Sequence, residues 1–253
     1  MSAPRRATLV LVHGPFLGPW IWDEHVRPCA EALGLRCFAP DLHEAWPTPG
    51  WSPAVARLPL ERYVDRLHAV LERLPGPRIL VGHSLGARVV EALVARGLRD
   101  GAVLVSPTPP EGLEAAARAL VARRPGAAAR ALVARRPVLL FGEPGRPDPA
   151  RVRELLLHPG APDALVAEVA GRLRDEPFAA CFDWLRPAPA PPADVPVLVL
   201  AGRDDPLVTP AALRRAASVR GASAHAIPHA GHCPMLGAAG AALARHLERW
   251  LLG

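Results

Sequence analysis

The stretch Arg78-Ile79-Leu80-Val81-Gly82-His83-Ser84-Leu85-Gly86 decides the fold expected for this 253-residue chain. Its apolar run is continuous rather than alternating, as expected of a strand buried on both faces of a parallel sheet. A helical pattern follows at 84–96, so the G-x-S-x-G sequence at 82–86 falls on a strand-to-helix turn. The flanking glycines leave room for that tight turn, and the pattern predicts that Ser84 is a nucleophile.

A serine hydroxyl needs a base that accepts its proton before it becomes an effective nucleophile. Five histidines follow Ser84, and His232 lies in the loop 230–234, just after the last predicted strand. Loops at the carboxyl ends of parallel strands are where such sheets place their sites. His232 is therefore the predicted base, and His229, three residues earlier, is the alternative.

The acid that orients the base is expected between the serine and the histidine in chain order. The predicted strand 197–201 runs into Gly202-Arg203-Asp204-Asp205-Pro206, which offers two adjacent carboxylates. A carboxylate at this place can orient an imidazole and stabilise its charged form. We expect Asp205 to fill this role, with Asp204 as the alternative.

Short apolar runs alternate with longer amphipathic stretches along most of the chain, which is typical of a parallel sheet covered by helices. Strands are predicted at 8–13, 35–40, 78–82, 102–106, 197–201 and 223–227, and helices at 22–33, 60–74, 84–96, 210–220 and 238–251. The fold class is therefore α/β, with a mostly parallel sheet of about six strands flanked by helices.

The segment 107–193 interrupts this alternation. Helical patterns lie at 113–123, 127–135, 149–157 and 163–173, and the run 138–141 resembles a strand. A Pro-rich stretch at 187–192 ends the segment and is expected to form a stiff linker. We interpret 107–193 as a small helical cap or lid, inserted into an α/β core formed by 1–106 and 194–253.

Composition and charge exclude several classes of protein. Half of the residues are hydrophobic and 21% are charged, which excludes wholesale disorder. The net charge of +6 rests on Arg alone, and basic residues never stand more than two in a row, which argues against nucleic-acid binding. No apolar run approaches the roughly 18 residues of a membrane helix. The four cysteines form no C-x-x-C pair and predict neither a metal site nor disulfides, so we expect a cytoplasmic protein.

The chain resembles the α/β-hydrolase family in four spaced motifs, which are His13-Gly14, Gly82-His83-Ser84-Leu85-Gly86, Gly202-x-x-Asp205 and Gly231-His232. The resemblance spans nearly the whole chain. It implies that Ser84 is the nucleophile, His232 the base and Asp205 the orienting acid. It also implies that the N–H of Leu85 serves the oxyanion hole, and it places the segment 107–193 where the family carries its cap.

A narrower resemblance concerns the branch that contains plant methylesterases, hydroxynitrile lyases and small bacterial esterases. It lies in the spacing His13-Gly14-x-x-x-Gly18-x-Trp20-x-Trp22. The lyases of that branch carry a lysine directly after the triad histidine. Position 233 is a cysteine here and the chain contains no lysine, which disfavours a lyase.

The chain departs from the family at the oxyanion hole. The second donor is usually the N–H of the residue after His13-Gly14, and here that residue is Pro15, which has no N–H. Loss of one such donor typically costs on the order of a hundredfold or more in rate. We expect the N–H of Phe16 to take its place; if it does not, ordinary esters should react slowly.

These residues predict a serine esterase, which is a carboxylic-ester hydrolase that cleaves an ester or thioester-like bond of a small apolar substrate through an acyl-enzyme. The expected partner is that small-molecule ester, no metal or organic cofactor is needed, and the protein is expected to be a monomer or homodimer. The predicted substrate-binding residues are Phe16, Leu17, Trp20, His83, Phe178, Phe182 and Trp184. A lyase or cyclase on the same scaffold and a binding protein without catalysis are the alternatives.

Overall fold

The computed structural model describes residues 7–98, 100–187 and 194–253. At its centre lies a sheet of six parallel strands, as the sequence predicts. The strands are β1 (Thr8–Val12), β2 (Arg36–Phe38), β3 (Arg78–His83), β4 (Ala102–Val105), β7 (Val197–Gly202) and β8 (Ala224–Ile227), in the spatial order β2-β1-β3-β4-β7-β8. Two short strands, β5 (Gly142–Glu143) and β6 (Arg146–Pro147), form a separate antiparallel pair.

The sheet separates two hydrophobic clusters, one on each face. Successive side chains of a strand point to opposite sides, so Leu9 and Leu11 of β1 enter one cluster while Val10 and Val12 enter the other. Strand β7 alternates in the same way. Because both faces are covered, both sets of side chains must be apolar, which explains the continuous apolar runs of the sequence.

Helices cover both faces of this sheet. Helices α1 (Val26–Ala32) and α10 (Gly240–Leu252) pack on one face, and α2 (Glu61–Leu71), α3 (Leu85–Ala95) and α9 (Pro210–Ser218) pack on the other. Each turns an apolar stripe inward, as an amphipathic helix does. In α10 that stripe consists of residues at helical spacing, Leu243, Leu247 and Leu251.

Helix α1 begins later than the sequence pattern indicates. The pattern predicts a helix from position 22, but Pro19–Trp22 forms a 3-10 helix and α1 begins at Val26. Pro28 explains the difference, because a proline is tolerated in the first turn of a helix and disrupts its interior. With a start at Val26, Pro28 lies in that first turn.

The chain between β4 and β7 is mainly helical. It contains α4 (Glu114–Ala122), α5 (Pro125–Ala134), α6 (Pro149–Leu156) and α7 (Asp163–Gly171), which correspond to predicted helices, and α8 (Phe178–Leu185), which the sequence analysis missed. Of the predicted linker 187–192, only Pro187 lies within the described residues. The division of the chain into a core and a cap stays a prediction.

The prediction of a strand at 138–141 is wrong. Pro137–Leu140 forms a 3-10 helix, in which the N–H of Phe141 donates to the carbonyl oxygen of Val138 (2.9 Å). Pro137 has the fixed φ that suits the start of a helical turn. Val138 and Leu139 are buried, so the apolar run reflects burial of a short turn and not strand pairing.

The strand order brings the loops after β1 and β3 together at the carboxyl edge of the sheet. Strand β1 pairs with both β2 and β3, so the chain changes its direction across the sheet at this point. Open α/β sheets bind ligands in the crevice at such a switch point. The two loops touch closely, because a Cβ on Gly86 would overlap the carbonyl oxygen of His13.

Gly202, the last residue of β7, tests the packing of this edge. A Cβ at this position would overlap the carbonyl oxygens of Ala230 and Gly231, which are backbone atoms that cannot rotate away. We expect Gly202→Ala to lower the free energy of unfolding, measured by denaturant titration, by about 1–3 kcal/mol.

The matched control is Gly171→Ala, because no atom lies within 4 Å of a Cβ built at that helical position. This change should leave stability unchanged or raise it by up to about 1 kcal/mol. Equal losses of stability in the two variants would contradict the packing described for Gly202.

Candidate active site

Ser84 stands between β3 and α3 in a conformation that few serines adopt. Its φ is +56° and its ψ is −117°, a region that residues other than glycine avoid. The N–H of Ser84 donates to the carbonyl oxygen of Val105 (2.9 Å), and its own carbonyl oxygen accepts from the N–H of Ala87 (3.0 Å). Strand β4 and helix α3 therefore hold the turn, and backbone strain of this kind is typical of functional sites.

The structure brings the three predicted triad residues together. His232, in the loop after β8, places Nε2 2.8 Å from the hydroxyl oxygen of Ser84. On the other side of the ring, Nδ1 lies 2.9 Å from Oδ2 of Asp205, which follows the end of β7. All three side chains are buried, and they occur in the order serine, acid, base along the chain.

The environment of Asp205 keeps its carboxylate charged. Burial alone would raise the pKa of Asp205, but His232 and two backbone N–H groups lower it below its usual value. Those N–H groups belong to Leu207 (2.8 Å) and Val208 (3.0 Å). A charged carboxylate accepts the Nδ1–H of His232, which leaves the lone pair of Nε2 directed at the serine hydroxyl.

The alternatives left open by the sequence lie elsewhere. Asp204 has a side chain that is 41% exposed, with its nearest ionic partner, Nε2 of His158, 3.7 Å away. The ring of His229 packs against the same His158, at a centroid distance of 5.7 Å. The geometry therefore favours Asp205 and His232 over these two residues.

His83, inside the G-x-S-x-G motif, fixes the backbone of the base. Its Nε2–H donates to the carbonyl oxygen of His232 (2.8 Å), which also accepts from the hydroxyl of Ser106 (3.1 Å). Burial and the neighbouring His232 lower the pKa of His83 to about 3, so this ring stays neutral. His83 thus anchors the loop that carries the base, while its ring also lines the cavity described below.

The predicted oxyanion donor, the N–H of Leu85, lies directly after Ser84. Leu85 is the first residue of α3, and the first N–H groups of a helix have no acceptor within the helix. The positive end of the helix dipole at this point also favours negative charge. Pro15, which lines the same cavity as His83, carries no N–H.

Arg174 and Glu176 hold the loop that follows β1. The N–H of Phe16 donates to Oε2 of Glu176 (3.1 Å), and the N–H of Arg174 donates to the carbonyl oxygen of Phe16 (2.9 Å). The guanidinium of Arg174 also donates to the carbonyl oxygen of Leu17 (3.1 Å) and to the carboxylate of Asp41 (2.7 Å). These contacts correct the expectation that the N–H of Phe16 serves the oxyanion, because a carboxylate already binds it.

Glu176 is a residue that the sequence analysis missed. Glu176 is fully buried. Its Oε1 accepts from the hydroxyl of Tyr63, and Nε2 of His43 lies 3.5 Å from Oε2, the oxygen that binds the N–H of Phe16. Burial alone would raise the pKa of Glu176, but His43 and Tyr63 lower it, so the carboxylate stays charged. In sequence it belongs to the charged run Arg174-Asp175-Glu176, which carries no signal of burial.

A cavity of about 460 Å³ opens beside the triad, within the size range of small-molecule sites. Its wall is mostly apolar and is built from the β1 loop and from helices α4, α5, α6 and α8. Six predicted substrate-binding residues line it, namely Phe16, Leu17, His83, Phe178, Phe182 and Trp184. Charged lining side chains are Glu114, Arg118 and Arg151.

Trp20, the seventh predicted substrate contact, lies outside this cavity. The guanidinium carbon of Arg172 sits 4.1 Å from the centroid of its ring, a cation–π contact. Its indole packs beneath an arginine, and the role of Trp20 as a substrate contact stays a prediction.

Within residues 7–98, 100–187 and 194–253, no group of three or more His, Cys, Asp and Glu side chains is placed to hold a metal ion. In the same ranges no helix combines the length and apolar character needed to cross a membrane. The four cysteines are free thiols. Burial raises the pKa of Cys181 and Cys233, which is typical of unreactive thiols.

The chain is similar to known proteins both in sequence and in structure. A model of the alpha/beta hydrolase family matches residues 9–246. A pyrethroid hydrolase from Sphingobium wenxiniae is 35% identical over 85 residues, which is 34% of this chain and 29% of that protein. The matched part thus spans under a third of that relative.

Solved structures share the fold across nearly the whole chain. A pyrethroid hydrolase from Sphingobium faniae has a TM-score of 0.62 at 20% identity, with 97% of each chain covered. A thermophilic esterase from Thermogutta terrifontis has a TM-score of 0.64 at 23% identity, covering 99% of this chain and 90% of its own. A methylesterase from Arabidopsis has a TM-score of 0.64 at 20% identity, covering 96% and 98%.

Asp41, which pairs with Arg174 beside the site, should couple stability to acid pH. Burial alone would raise the pKa of Asp41, but the neighbouring His13, whose Nε2 lies 3.4 Å from Oδ1, and hydrogen bonds from Arg174 and the N–H of His43 lower it well below its usual value. Its stabilising effect is therefore complete above the unfolded-state pKa of about 4 and is lost as the pH falls below that value.

We expect the free energy of unfolding to rise between about pH 2 and pH 4. Asp41→Asn should make the slope of that rise smaller, by up to the amount that corresponds to one bound proton. Denaturant titrations across this range measure the slope. Asp163→Asn is the control, because the Asp163 side chain is 99% exposed. A slope that is the same in Asp41→Asn and in the unmodified protein would contradict the expectation.

Proposed function

The chain belongs to the alpha/beta hydrolase family, and from this premise we propose that it is a serine esterase acting on small apolar carboxylic esters. The observation that carries the proposal is the contact of 2.8 Å between Nε2 of His232 and the hydroxyl oxygen of Ser84, with Asp205 behind the ring. This is the arrangement in which a base activates a serine nucleophile.

The mechanism is acyl transfer through Ser84. Nε2 of His232 accepts the hydroxyl proton as Oγ attacks the carbonyl carbon, and the electron pair of the carbonyl moves onto its oxygen near the N–H of Leu85. When that pair returns, the bond to the leaving oxygen breaks and His232 protonates the departing alcohol. Water then attacks the acyl-serine with the same base, releases the acid and restores Ser84.

The cavity supports an apolar acyl or alcohol group. Phe16, Phe178 and Trp184 contribute aromatic side chains to the wall, and α4, α5 and α6 contribute aliphatic ones. Burial of apolar surface is the main source of affinity that such a wall offers. The names of the similar proteins, which include a pyrethroid hydrolase, an esterase and a methylesterase, support ester cleavage in general.

A second candidate is a non-hydrolytic reaction, such as a lyase or cyclisation reaction, on the same scaffold. The observation in its favour is the absence of an N–H at Pro15 together with the bond between the Phe16 N–H and Glu176. Accumulation of an acyl-serine separates the candidates, because only the esterase mechanism requires this intermediate. A non-catalytic binding protein would not react with a fluorophosphonate at all.

The test of the proposed function is hydrolysis of p-nitrophenyl esters from acetate to decanoate by the protein and by Ser84→Ala. We expect turnover that is lost in the variant and that prefers acyl groups long enough to reach the apolar wall. A fluorophosphonate should label the protein at Ser84 and leave the variant unlabelled. Turnover of equal rate in both proteins, or no turnover together with no labelling, would overturn the proposal.

The two adjacent aspartates offer a matched pair of variants. Asp205→Asn removes the charge that orients His232 and should lower kcat by about 10³–10⁴-fold. Asp204→Asn changes a partly exposed carboxylate outside the triad and should alter kcat by less than about twofold. The rates of p-nitrophenyl ester hydrolysis measure both effects, and a large loss in Asp204→Asn instead would reverse the assignment of the acid.

A further inference from the structure

We infer that this site selects acyl compounds with good leaving groups, namely aryl esters and thioesters, over alkyl esters. It does so because Glu176 retains the Phe16 N–H and Pro15 offers none. The inference rests on the proposed esterase function and concerns which esters that site accepts. It also makes Glu176 a positioning residue, since Glu176 acts on the reaction only through the backbone of Phe16.

The loop after β1 forms one wall of the space beside the serine. A Cβ on Gly14 would overlap the ring of His83, and a Cβ on Gly86 would overlap the carbonyl oxygen of His13, so the loop and the serine turn are in direct contact. Pro15 lines the cavity together with His83. A backbone N–H at position 15 would thus lie beside the cavity, but the proline ring replaces it.

The next N–H along the loop, that of Phe16, is held in another direction. Phe16 has a φ of +66°, which is unusual for a residue with a side chain. Its N–H donates to Glu176 and its carbonyl oxygen accepts from the N–H of Arg174, so both backbone groups of Phe16 are bound by the segment 174–176. A hydrogen bond to a charged carboxylate is stronger than one between neutral groups, so this N–H is not readily released to a substrate.

The carboxylate that holds Phe16 is itself fixed from several sides. Glu176 is fully buried and accepts from Tyr63, while His43 lies beside the oxygen that binds Phe16. The ring of His43 stacks on Trp46 at a centroid distance of 4.1 Å, and the indole N–H of Trp46 donates to the hydroxyl oxygen of Tyr63 (3.0 Å). These contacts hold the carboxylate of Glu176 beside the N–H of Phe16.

The chemical consequence concerns the charge on the carbonyl oxygen. In acylation the bond from Ser84 Oγ to the carbonyl carbon forms, the carbonyl electron pair moves to oxygen, and the bond to the leaving group then breaks. With a phenol or thiol as leaving group, part of the negative charge passes to that group. The barrier to acylation is then low even when few N–H donors stabilise the carbonyl oxygen. With an alkyl alcohol the charge stays on the carbonyl oxygen, where Leu85 supplies the evident donor, and such donors act mainly by stabilising this charge.

The experiment measures kcat/KM for butyrate esters of p-nitrophenol, phenol and ethanol and for the butyrate thioester of ethanethiol. The value of kcat/KM reports the steps up to acylation, in which the leaving group departs, and the constant acyl group makes the leaving group the only variable. We expect a steep fall from p-nitrophenol to ethanol, with the thioester well above the ethyl ester. Rates that are equal for the phenyl and ethyl esters would overturn the inference.

Pro15→Ala tests the cause, because it restores an N–H beside the cavity. We expect it to raise kcat/KM for the ethyl ester by about tenfold or more. The p-nitrophenyl ester should change far less, which makes the dependence on leaving group shallower. Pro19→Ala is the matched control, since Pro19 starts the 3-10 helix in the same connection and is not among the residues that line the cavity. A uniform fall for all esters in Pro15→Ala would contradict the inference.

Glu176 has its own pair of variants. Glu176→Gln keeps an oxygen acceptor for the Phe16 N–H and should keep the steep dependence on leaving group. Glu176→Ala frees the N–H and should make the dependence shallower, with thermal unfolding recorded to verify that the variant is folded. If Glu176→Ala does not fold, Pro15→Ala still decides the question. A purely structural role for Glu176 would change the rates for all esters by one factor and leave the dependence unaltered.

Failure of the inference is distinct from failure of the proposed function. Turnover that requires Ser84 but is insensitive to the leaving group overturns the inference and leaves the esterase proposal in place. Absence of any turnover that requires Ser84, for every ester and the thioester, overturns both.

Discussion

The close approach between the loop after β1 and the serine turn is the constraint on which the rest of the site depends. Ser84 keeps its φ of +56° because Gly82 and Gly86 carry no Cβ that would overlap neighbouring backbone. The same close contact makes Pro15 part of the wall beside the serine. The fold requires only that backbone atoms fit at that place, and a proline satisfies this requirement. In the proposed esterase the reaction would gain from an N–H there, so the fold and the proposed reaction make separate demands on Pro15.

Local backbone signals explain most of what the sequence could predict. A glycine at the end of a strand, or in the loop after one, shortly precedes each of Ser84, Asp205 and His232. Because the parallel strands end at the same edge of the sheet, motif spacing and strand order bring all three residues to that edge. The wrong prediction of a strand at 138–141 has a physical origin. The run is apolar because it is buried, and burial does not distinguish a strand from a short helical turn.

Contacts that buried charged side chains make with distant parts of the chain could not be predicted. Charged residues are expected at the surface because an unpaired buried charge is costly. Glu176 nevertheless binds Phe16, 160 positions earlier, and Glu91 of α3 binds the buried Arg220, 129 positions later, at 2.6 Å. Glu176 stands in the charged run Arg174-Asp175-Glu176 and Glu91 stands among the apolar residues of α3, but neither stretch of sequence identifies the distant partner. Each partner becomes apparent only when the sheet order and the helices around it are known, and each fixes an element that carries the site.

The segment that binds the β1 loop also leads into the wall of the cavity. Glu176 is followed by Pro177, whose fixed φ leaves little freedom before α8 begins at Phe178. Helix α8 contributes Phe178, Phe182 and Trp184 to the cavity. The start of α8 and the hydrogen bond between Glu176 and Phe16 are thus only two residues apart along the chain. In the proposed esterase, recognition of the apolar group and the geometry of the oxyanion position would therefore be coupled through this connection.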